Sequence, residues 1–376
     1  MMAIYKTLVK KVSLSAQKKT KQKEYLSNGV LPIIDQGHEY IGGYTNDLSK
    51  KVDCKLPVIV FGDHTKAVKY INFPFGAGAD GIKVLQPEKN INPLYLYYGT
   101  KYLTYRIEDK GYARHYQDLE KKDLKVPLLE KQQNIVDRIE EMFSNLDKSV
   151  ELLQIVRKLL VVYRHSVLKE AFKDYYDWPK YYFADLMSVI RNGYGAKPDD
   201  KGTYKILRIS AVRPMKLDLT DYRLNESMFL LEDTIHENDL LFTRYNGSKE
   251  YVGVCAVVPK LSCEYGYPDK LIKCTPKTQD RNHSKFLQYY LSQGEARKYL
   301  RSKVKTTSGQ NGISGGDIKN TVVYLPDIKT QKEIVSQIEE RLSICDSIEQ
   351  TINIALQQAE TVRQDILKQA FEGSLE

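Results

Sequence analysis

The stretch PLLEKQQNIVDRIEEMFSNLDKSVELLQIVRKLLVVYRHSVLKEAF, from Pro127 to Phe172, recurs as PDIKTQKEIVSQIEERLSICDSIEQTINIALQQAETVRQDILKQAF, from Pro326 to Phe371. The two copies align without a gap at an offset of 199 residues, and 15 of their 46 positions are identical. A gapless match of this length points to an internal repeat rather than to chance. The repeat therefore divides the chain of 376 residues into two halves built on the same plan.

Both copies predict long helices, because their apolar residues recur in steps of three and four and form the seam of a coiled coil. A helix of roughly 43 residues is about 65 Å long, which exceeds an ordinary globular helix. Each helix could pack on its own neighbouring domain, but two seams of equal length favour pairing of the helices with each other. The predicted seam consists of Ile135, Ile139, Met142, Leu146, Val150, Leu153, Val156, Leu160, Tyr163 and Val167 in the first copy, and of Ile334, Ile338, Leu342, Cys345, Ile348, Ile352, Ala355, Ala359, Val362 and Ile366 in the second.

The segments between the helices have a different character. They are rich in Tyr, Gly and Asn, and glycine turns interrupt short β-like runs such as LPVIVFG (56–62) and DLLFTRY (239–245). Each segment also contains a short helical stretch, NPLYLYYGTKYL (92–103) and NHSKFLQYYLSQ (282–293). We therefore predict a mixed α+β fold with an internal repeat. Its predicted order is a globular α/β domain (1–126), a long helix (127–172), a second globular α/β domain (173–325) and a second long helix (326–376).

The positive charge lies in the globular segments. Residues 1–126 carry a net charge of +8 and residues 173–325 one of +6, whereas the first helix is neutral and residues 326–376 carry −5. A basic surface attracts a DNA duplex through phosphate neutralisation and counterion release. Lysines that merely solvate ordinary domains are the alternative, but aromatic and amide residues among the charges favour nucleic-acid binding.

The composition also bears on the location of the protein and on metal binding. No run of 18 apolar residues is present, and the N-terminal stretch MMAIYKTLVKKVSLSAQ lacks an apolar stretch of signal-peptide length, so we expect a cytoplasmic protein without a membrane span. The five cysteines are scattered, with neither a CxxC motif nor a paired His motif near them. This pattern favours reduced structural thiols, and we expect no metal site.

The layout resembles the specificity subunits of type I restriction-modification systems, and the resemblance covers nearly the whole chain. Its specific parts are the repeated helices that begin P-x-x-x-x-Q-x-x-I-V, their ends LKEAF (168–172) and LKQAF (367–371), and the domain opening WPKYYFADLMSVIRNGYGAKP (178–198). The first domain departs from that opening, because it has no Trp and begins with KTLVKKVSLSAQKKTKQKEY.

The resemblance implies a DNA sequence reader that is not itself an enzyme. In this family two antiparallel helices hold two target-recognition domains, which read the halves of a split, asymmetric DNA target. The helix length sets the gap between the halves. Two methyltransferase subunits dock along the helices, bring S-adenosylmethionine and methylate adenine, and endonuclease subunits that use ATP and Mg join them. No cofactor is expected on this chain.

Two alternatives come from other classes: a coiled-coil scaffold protein that binds no DNA, and an enzyme with an unrecognised active site. The strings Phe75-Gly-Ala-Gly78 and Asn92-Pro-Leu-Tyr95 have letters of a methyltransferase, but the 13 residues between them cannot supply the crossover of a cofactor-binding sheet. Pro198-Asp-Asp-Lys201 has letters of a nuclease without the spaced second acid. We predict no catalytic and no metal-binding residue.

Base reading requires amide, hydroxyl and guanidinium groups on exposed loops, with phosphate contacts around them. The strongest candidate is Thr243-Arg-Tyr-Asn-Gly-Ser-Lys249, and the loop 306–311 comes second. The candidate DNA-contact residues are Gly62, Asp63, His64, Thr65, Lys66, Tyr112, Arg114 and His115 in the first domain, and Tyr194, Arg208, Arg213, Thr243, Arg244, Tyr245, Asn246, Ser248, Lys249, Ser308, Gln310 and Asn311 in the second.

Arg244 is the first residue to replace, because we assign Arg244 and Asn246 to bases and Ser248 and Lys249 to phosphate. The Arg244→Ala change is expected to weaken binding at one half of the DNA target only, by about 1–3 kcal/mol, if the side chain makes a bidentate base contact. The measurement is binding to the specific target and to random DNA. An equal loss on both DNAs would instead assign Arg244 to phosphate.

Overall fold

The computed structural model describes residues 1–79, 81–108, 111, 113–195, 202–226, 234–307 and 309–373. The chain forms two compact units. Unit 1 comprises Met1–Ile155 and Ile352–Glu376, and unit 2 comprises Val156–Thr351. Each unit therefore contains one globular segment and a part of each long helix.

The described residues of the globular segment of unit 1 form ten strands and two α-helices, and a long helix follows. In chain order these elements are β1 (Met2–Ile4), β2 (Val9–Val12), β3 (Lys19–Thr20), β4 (Leu31–Ile34), β5 (Gly43–Thr45), β6 (Val58–Gly62), β7 (Val68–Ile71), β8 (Gly76–Gly78), β9 (Ile82–Pro87), α1 (Pro93–Tyr105), α2 (Tyr116–Leu119), β10 (Asp123–Lys125) and the long helix α3 (Leu129–Ala171).

The globular segment of unit 2 follows the same plan with more strands. Its elements are β11 (Lys180–Tyr182), α4 (Phe183–Leu186), β12 (Met187–Asn192), β13 (Tyr204–Leu207), β14 (Val212–Arg213), β15 (Lys216–Leu217), β16 (Tyr222–Asn225), β17 (Leu240–Thr243), β18 (Tyr245–Asn246), β19 (Cys255–Val257), β20 (Tyr265–Gly266), β21 (Leu271–Pro276), α5 (Arg281–Leu291), α6 (Gly294–Ser302), β22 (Lys305–Thr307), β23 (Gln310–Gly312), α7 (Gly315–Lys319), β24 (Val322–Tyr324) and the long helix α8 (Ile328–Glu372).

The sheets repeat as the helices do. An antiparallel sheet of order β2-β9-β6-β7 in unit 1 corresponds to β12-β21-β17-β19 in unit 2. The antiparallel pair β1–β10 in unit 1 corresponds to the pair β11–β24 in unit 2. In addition, β4 pairs antiparallel with β5 and parallel with β8, and β13 pairs antiparallel with β16 and parallel with β20 in the same way. The repeated sheets and the two long helices confirm the predicted mixed α+β fold with an internal repeat.

The two long helices run antiparallel within each unit. In unit 1 the end of α8, with Ile366 and Phe371, shares a core with Val136 and Ile139 near the start of α3. In unit 2 the end of α3, with Val167 and Leu168, shares a core with Val335 and Ile338 near the start of α8. The predicted pairing of the helices is therefore confirmed.

Equivalent ion pairs join the helices in the two units. Arg164 lies 2.7 Å from Asp346 and 3.0 Å from Glu349 in unit 2. Arg363 pairs with Asp147 in unit 1. These arginines and aspartates are each other's counterparts at the offset of 199 residues, so the pairing has the form of an isologous contact. The groups are partly exposed, so each pair contributes only about 0.2–1 kcal/mol and mainly fixes the register.

The predicted seam is wrong at four positions. Val156, Tyr163, Ile348 and Val362 are 39–48% exposed. The middle of α3 is apolar around much of its circumference, because Leu159, Leu160, Val161, Val162 and Tyr163 follow one another. Side chains separated by three, four or seven residues share one helix face, so the spacing places Val156, Leu160 and Tyr163 in one stripe. Spacing alone does not reveal how narrow the contact with the other helix is, and of these three side chains only Leu160 is buried.

A buried glutamine fixes the start of each long helix. In unit 1 the Oε1 of Gln132 accepts a hydrogen bond from the backbone N–H of Asn92, the residue that caps α1, at 2.8 Å, and its Nε2 donates to the carbonyl of Pro127. In unit 2 the Oε1 of Gln331 accepts from Nδ1 of His283 on α5 at 2.9 Å, and its Nε2 donates to the carbonyl of Pro326. The same amide geometry thus fixes a long helix against the short helix of its globular segment in both units.

This arrangement makes the stability of unit 2 sensitive to pH. Burial lowers the pKa of His283 below its usual value of about 6.5. As the pH falls through about 6.5, the unfolded chain takes up a proton on this residue before the folded chain does, so the free energy of unfolding decreases. His283→Gln is expected to flatten this dependence between about pH 7.5 and about pH 5.5 in urea unfolding. His165→Gln, at an exposed position, is the control, and an equal flattening by both changes would contradict the assignment.

Candidate nucleic-acid interface

The strongest predicted loop of unit 2 begins where a buried strand ends. Strand β17 is buried along its whole length, and the chain leaves it at Thr243, whose backbone N–H and carbonyl are bonded to Val254 and Gly253. The next residue, Arg244, donates its backbone N–H to the carbonyl of Lys270 at 2.8 Å. A rigid sheet therefore sets the position from which the polar loop 243–249 departs.

The three-stranded sheet of order β18-β23-β22 joins the two predicted loops of unit 2, which are far apart in the sequence. The buried side chain of Asn311 donates from Nδ2 to the carbonyl of Gly247 at 2.8 Å and accepts from the hydroxyl of Thr306 at 2.7 Å. The ring of Tyr245 packs directly against Gly312. A Cβ at this position would lie 2.4 Å from the ring, so a larger residue would clash with it. The loops 243–249 and 306–311 thus form one surface.

Arg244 is embedded in this surface. Its guanidinium lies over the ring of Tyr245 at 4.7 Å, and Nη1 donates to the carbonyl of Asp269 at 3.3 Å. Its Nε is buried and has no partner among the described residues. The side chain therefore connects the loop to the turn before β21.

An open cavity of about 620 Å³ lies beside these loops in unit 2. It brings together side chains that were predicted from separate parts of the sequence, and it adds two cations, Arg223 and Lys270, that the sequence analysis missed. Among the charged residues of its lining, the four cations outnumber Asp269, the single acid. The predicted residues that line it are Arg208, Arg213, Tyr245, Asn246 and Gln310.

The other predicted residues of unit 2 have varied surroundings. Thr243 is fully buried, so its side chain faces the core. The backbone of Tyr194 bonds to the turn before β21, accepting from Asp269 at 3.0 Å. Ser248 caps the short 3-10 helix Lys249–Tyr251, and Lys249 is exposed. Ser308 lies outside the described residues.

Unit 1 has its counterpart surface at the end of β6, where Asp63 holds two segments together. Its carboxylate lies 3.1 Å from Nζ of Lys83 and accepts the backbone N–H of Tyr116 at 2.9 Å. Its carbonyl accepts the backbone N–H of His115 at 2.8 Å. Asp63 and His115 are buried, so both support the loops rather than face solvent.

The loop 62–66 itself is a tight turn. Lys66 adopts a left-handed conformation, with φ of 59°, and its backbone N–H donates to the carbonyl of Gly62 at 2.9 Å. A Cβ at Gly62 would lie 2.8 Å from the carbonyl oxygen of Gln36, so only glycine fits there. The hydroxyl of Thr65 donates to the same carbonyl. The turn is thereby tied to the loop that follows β4.

The segment before α2 completes this surface. Nδ1 of His64 lies 3.0 Å from the carbonyl of Ala113, and the neighbouring Arg114 is exposed. Tyr112 lies outside the described residues. Each unit therefore joins the loop after its buried central strand to the segment that lies shortly before a long helix.

The loops after β4 and β13 differ in charge. In unit 1 Asp35 follows β4, and the buried Nζ of Lys69 donates to its carbonyl at 2.9 Å and lies 3.5 Å from its carboxylate. Burial lowers the pKa of Lys69, and Asp35 opposes that shift. In unit 2 the corresponding place after β13 holds Arg208. Unit 1 thus has an aspartate paired with a buried lysine where unit 2 has a half-exposed guanidinium paired with Asp221.

The strings with letters of a methyltransferase have structural roles in unit 1. Phe75-Gly-Ala-Gly78 leads into the buried strand β8, and Asn92 caps α1 by accepting the backbone N–H groups of Leu94 and Tyr95. The nuclease-like string 198–201 lies outside the described residues. In the part of the chain that the structure describes, no group of three or more His, Cys, Asp or Glu side chains is placed to hold a metal ion.

None of the described helices is both long enough and apolar enough to cross a membrane.

A family model for the type I restriction modification DNA specificity domain matches residues 9–156 and 177–358. The chain is 32% identical to the specificity subunit of the type I restriction enzyme EcoKI of Escherichia coli K12, over 95% of this chain and 85% of that protein. It is 26% identical to the StySPI specificity subunit of Salmonella potsdam, again over 95% of this chain and 85% of that protein.

Two solved structures share the fold. One comes from work on complex assembly and conformational transition of the type I R-M system, with a TM-score of 0.69, 14% identity, and coverage of 100% of this chain and 98% of that chain. The other is the HsdS subunit of Thermoanaerobacter tengcongensis, with a TM-score of 0.53, 14% identity, and coverage of 100% of this chain and 97% of that chain.

Asn311 tests whether the two loops of unit 2 form one surface. Asn311→Ala removes both bonds of a buried amide and is expected to lower the free energy of unfolding by about 1–3 kcal/mol. It should also raise hydrogen exchange in the loop 243–249. Gln310→Ala, at the exposed neighbouring position, is the control and is expected to change stability by less than about 0.5 kcal/mol. Unchanged exchange in the loop would show that Asn311 does not hold it.

Proposed function

This chain belongs to the family of type I restriction-modification DNA specificity subunits, and on that premise we propose that its two units read the two halves of a split, asymmetric DNA target. One observation carries the proposal. Each unit places a polar loop at the end of the same buried strand, β6 or β17, and ties it to the segment that lies shortly before a long helix. The frame is repeated while the side chains differ, which suits recognition of two different sequences.

The distribution of charge supports DNA binding by the globular segments and the binding of protein partners by the helices. The globular segments carry the whole positive excess of the chain, which neutralises phosphates and positions a duplex without reading sequence. Side chains on the loops then reach base edges. The helices are neutral or acidic, so they are disfavoured as DNA-binding surfaces.

The helices support protein partners. On α3, Val156, Leu159, Val162 and Tyr163 share one face and are 40–61% exposed, which is unusual for four large apolar residues on one surface helix. We assign this face and the acidic surface of α8 to the subunits with which the chain works. These are two methyltransferase subunits, which bring S-adenosylmethionine and methylate adenine, and endonuclease subunits, which use ATP and Mg.

In this proposal the chain contributes sequence recognition and no catalytic group, and it binds no cofactor itself. The support is that its methyltransferase-like strings serve as a strand and a helix cap. No observation favours the alternative of a coiled-coil scaffold that does not bind DNA.

The test is methylome sequencing of a host that expresses the cognate methyltransferase subunit, with and without this chain. A split motif with methylated adenine that appears only in the presence of the chain is the expected result, and it also identifies the target. Absence of new methylation would count against the proposal if a pull-down shows that the methyltransferase subunit binds the chain. Failure of that binding would contradict the assignment of the helix surfaces.

A further inference from the structure

Arg208 has unusual support for an exposed arginine. It follows strand β13 and lines the cavity of unit 2, with its side chain 48% exposed. Its backbone N–H donates to the carbonyl of Asp221 at 2.9 Å, and its Nε lies 3.7 Å from the carboxylate of the same residue. Asp221 therefore holds the backbone of Arg208 by a hydrogen bond and faces the Nε of its guanidinium in an ion pair.

The two terminal nitrogens of this guanidinium remain available to donate hydrogen bonds to a ligand. Among the described residues, the two terminal nitrogens of Arg208 have no hydrogen-bond partner. They lie in the same cavity lining as Asn246 and Gln310, which belong to the two joined loops. A planar guanidinium that is anchored through Nε presents two parallel donors, the arrangement that recognises a pair of neighbouring acceptors.

The other arginines of this surface are occupied differently. The guanidinium of Arg213 lies over the ring of Tyr251 at 4.8 Å and donates to the carbonyl of Val212 at 3.0 Å. Arg244 donates to a backbone carbonyl and is partly buried. Arg223 is exposed and, among the described residues, has no partner that would orient it. Of these four arginines, only Arg208 combines exposed terminal nitrogens with a carboxylate, that of Asp221, beside its Nε.

We infer that Arg208 is the residue by which unit 2 recognises a guanine, that Asp221 positions it, and that Arg223 contacts phosphate. Guanine offers the acceptors O6 and N7 side by side in the major groove, and bidentate pairing with arginine is the commonest specific contact there. A cation without an orienting partner attracts any phosphate and discriminates little. The inference rests on the proposed function and adds the chemistry of one half of the target.

The same inference separates the two halves of the target. The corresponding loop of unit 1 begins with Asp35, which is engaged by Lys69, and Gln36, whose carbonyl holds the turn at Thr65. No arginine stands at that place in the sequence of unit 1. The guanine recognised through this position therefore belongs to one half of the target only.

The variants Arg208→Lys, Asp221→Asn and Arg223→Ala, each in the full chain with the methyltransferase subunit, test these roles. Arg208→Lys keeps the charge and loses the fork. It is expected to relax the motif at one guanine, with a loss of about 5- to 150-fold in preference for that base, while the other half of the motif is unchanged. Asp221→Asn is expected to relax the same base to a smaller extent, which a merely structural role would not do.

Arg223→Ala is the matched control for charge. It is expected to keep the motif, to weaken binding to specific and random DNA equally, and to reduce the slope of log affinity against log salt by about one. Urea unfolding of all three variants checks that each is folded. If the motif is preserved both in Arg208→Lys and in Arg208→Ala, which removes every donor, or if the motif half that depends on unit 2 contains no guanine, the inference is overturned.

A change in the DNA tests the same contact from the other side. Replacement of the recognised guanine by 7-deazaguanine removes N7, and it is expected to weaken binding by the wild-type chain but to have little further effect on Arg208→Lys, because both changes remove the same contact. Additive losses would contradict the contact. A methylated motif that survives every change at Arg208 defeats only this inference, whereas absence of any motif with the wild-type chain defeats the proposed function as well.

Discussion

The start of each long helix depends on one buried amide. A glutamine side chain has a donor and an acceptor in a fixed plane, so Gln132 and Gln331 can each bond to two separate pieces of backbone or side chain at once. Leaving either atom without a partner in these buried places would cost about 1–3 kcal/mol. The amide therefore fixes both the position and the rotation of the long helix against the short helix beside it, and residues of the same helix starts, Val136 and Val335, belong to the apolar cores of the two units.

The loop surfaces of the two units share this repeated backbone frame but differ in their charged side chains. The cavity of unit 2 is rich in guanidinium groups, whereas the matching loop of unit 1 contains Asp35, which pairs with the buried Lys69 of strand β7. The frame is held by buried groups such as Asp63 and Asn311, which bond mainly to backbone, with Lys83 and Thr306 as their side-chain partners. Exposed side chains that make no such bond are thus free to vary without loss of the fold.

The sequence alone was sufficient for the repeat, the long helices and the polar loops, because each is a local pattern or a match between two strings. It was insufficient where the outcome depends on contacts between distant residues. The seam was misassigned at Val156 and Tyr163 because the apolar surface in the middle of α3 is wider than its buried contact. The pairing of Asn246 with Asn311, and the place of Arg223 beside Arg208, depend on strands brought together by the fold. The functional roles of the loop residues are still predictions.

The pairs β1–β10 and β11–β24 bring both ends of each globular segment to the same place. Because its first and last strands are hydrogen-bonded to each other, each globular segment is a closed structural block that enters and leaves at one place. Exchange of the whole segment, cut outside both strands, would leave the glutamine on its long helix, and the incoming segment would need a donor where Asn92 or His283 stands. The architecture therefore lets recognition change by replacement of one block, without a new solution for how the block is attached.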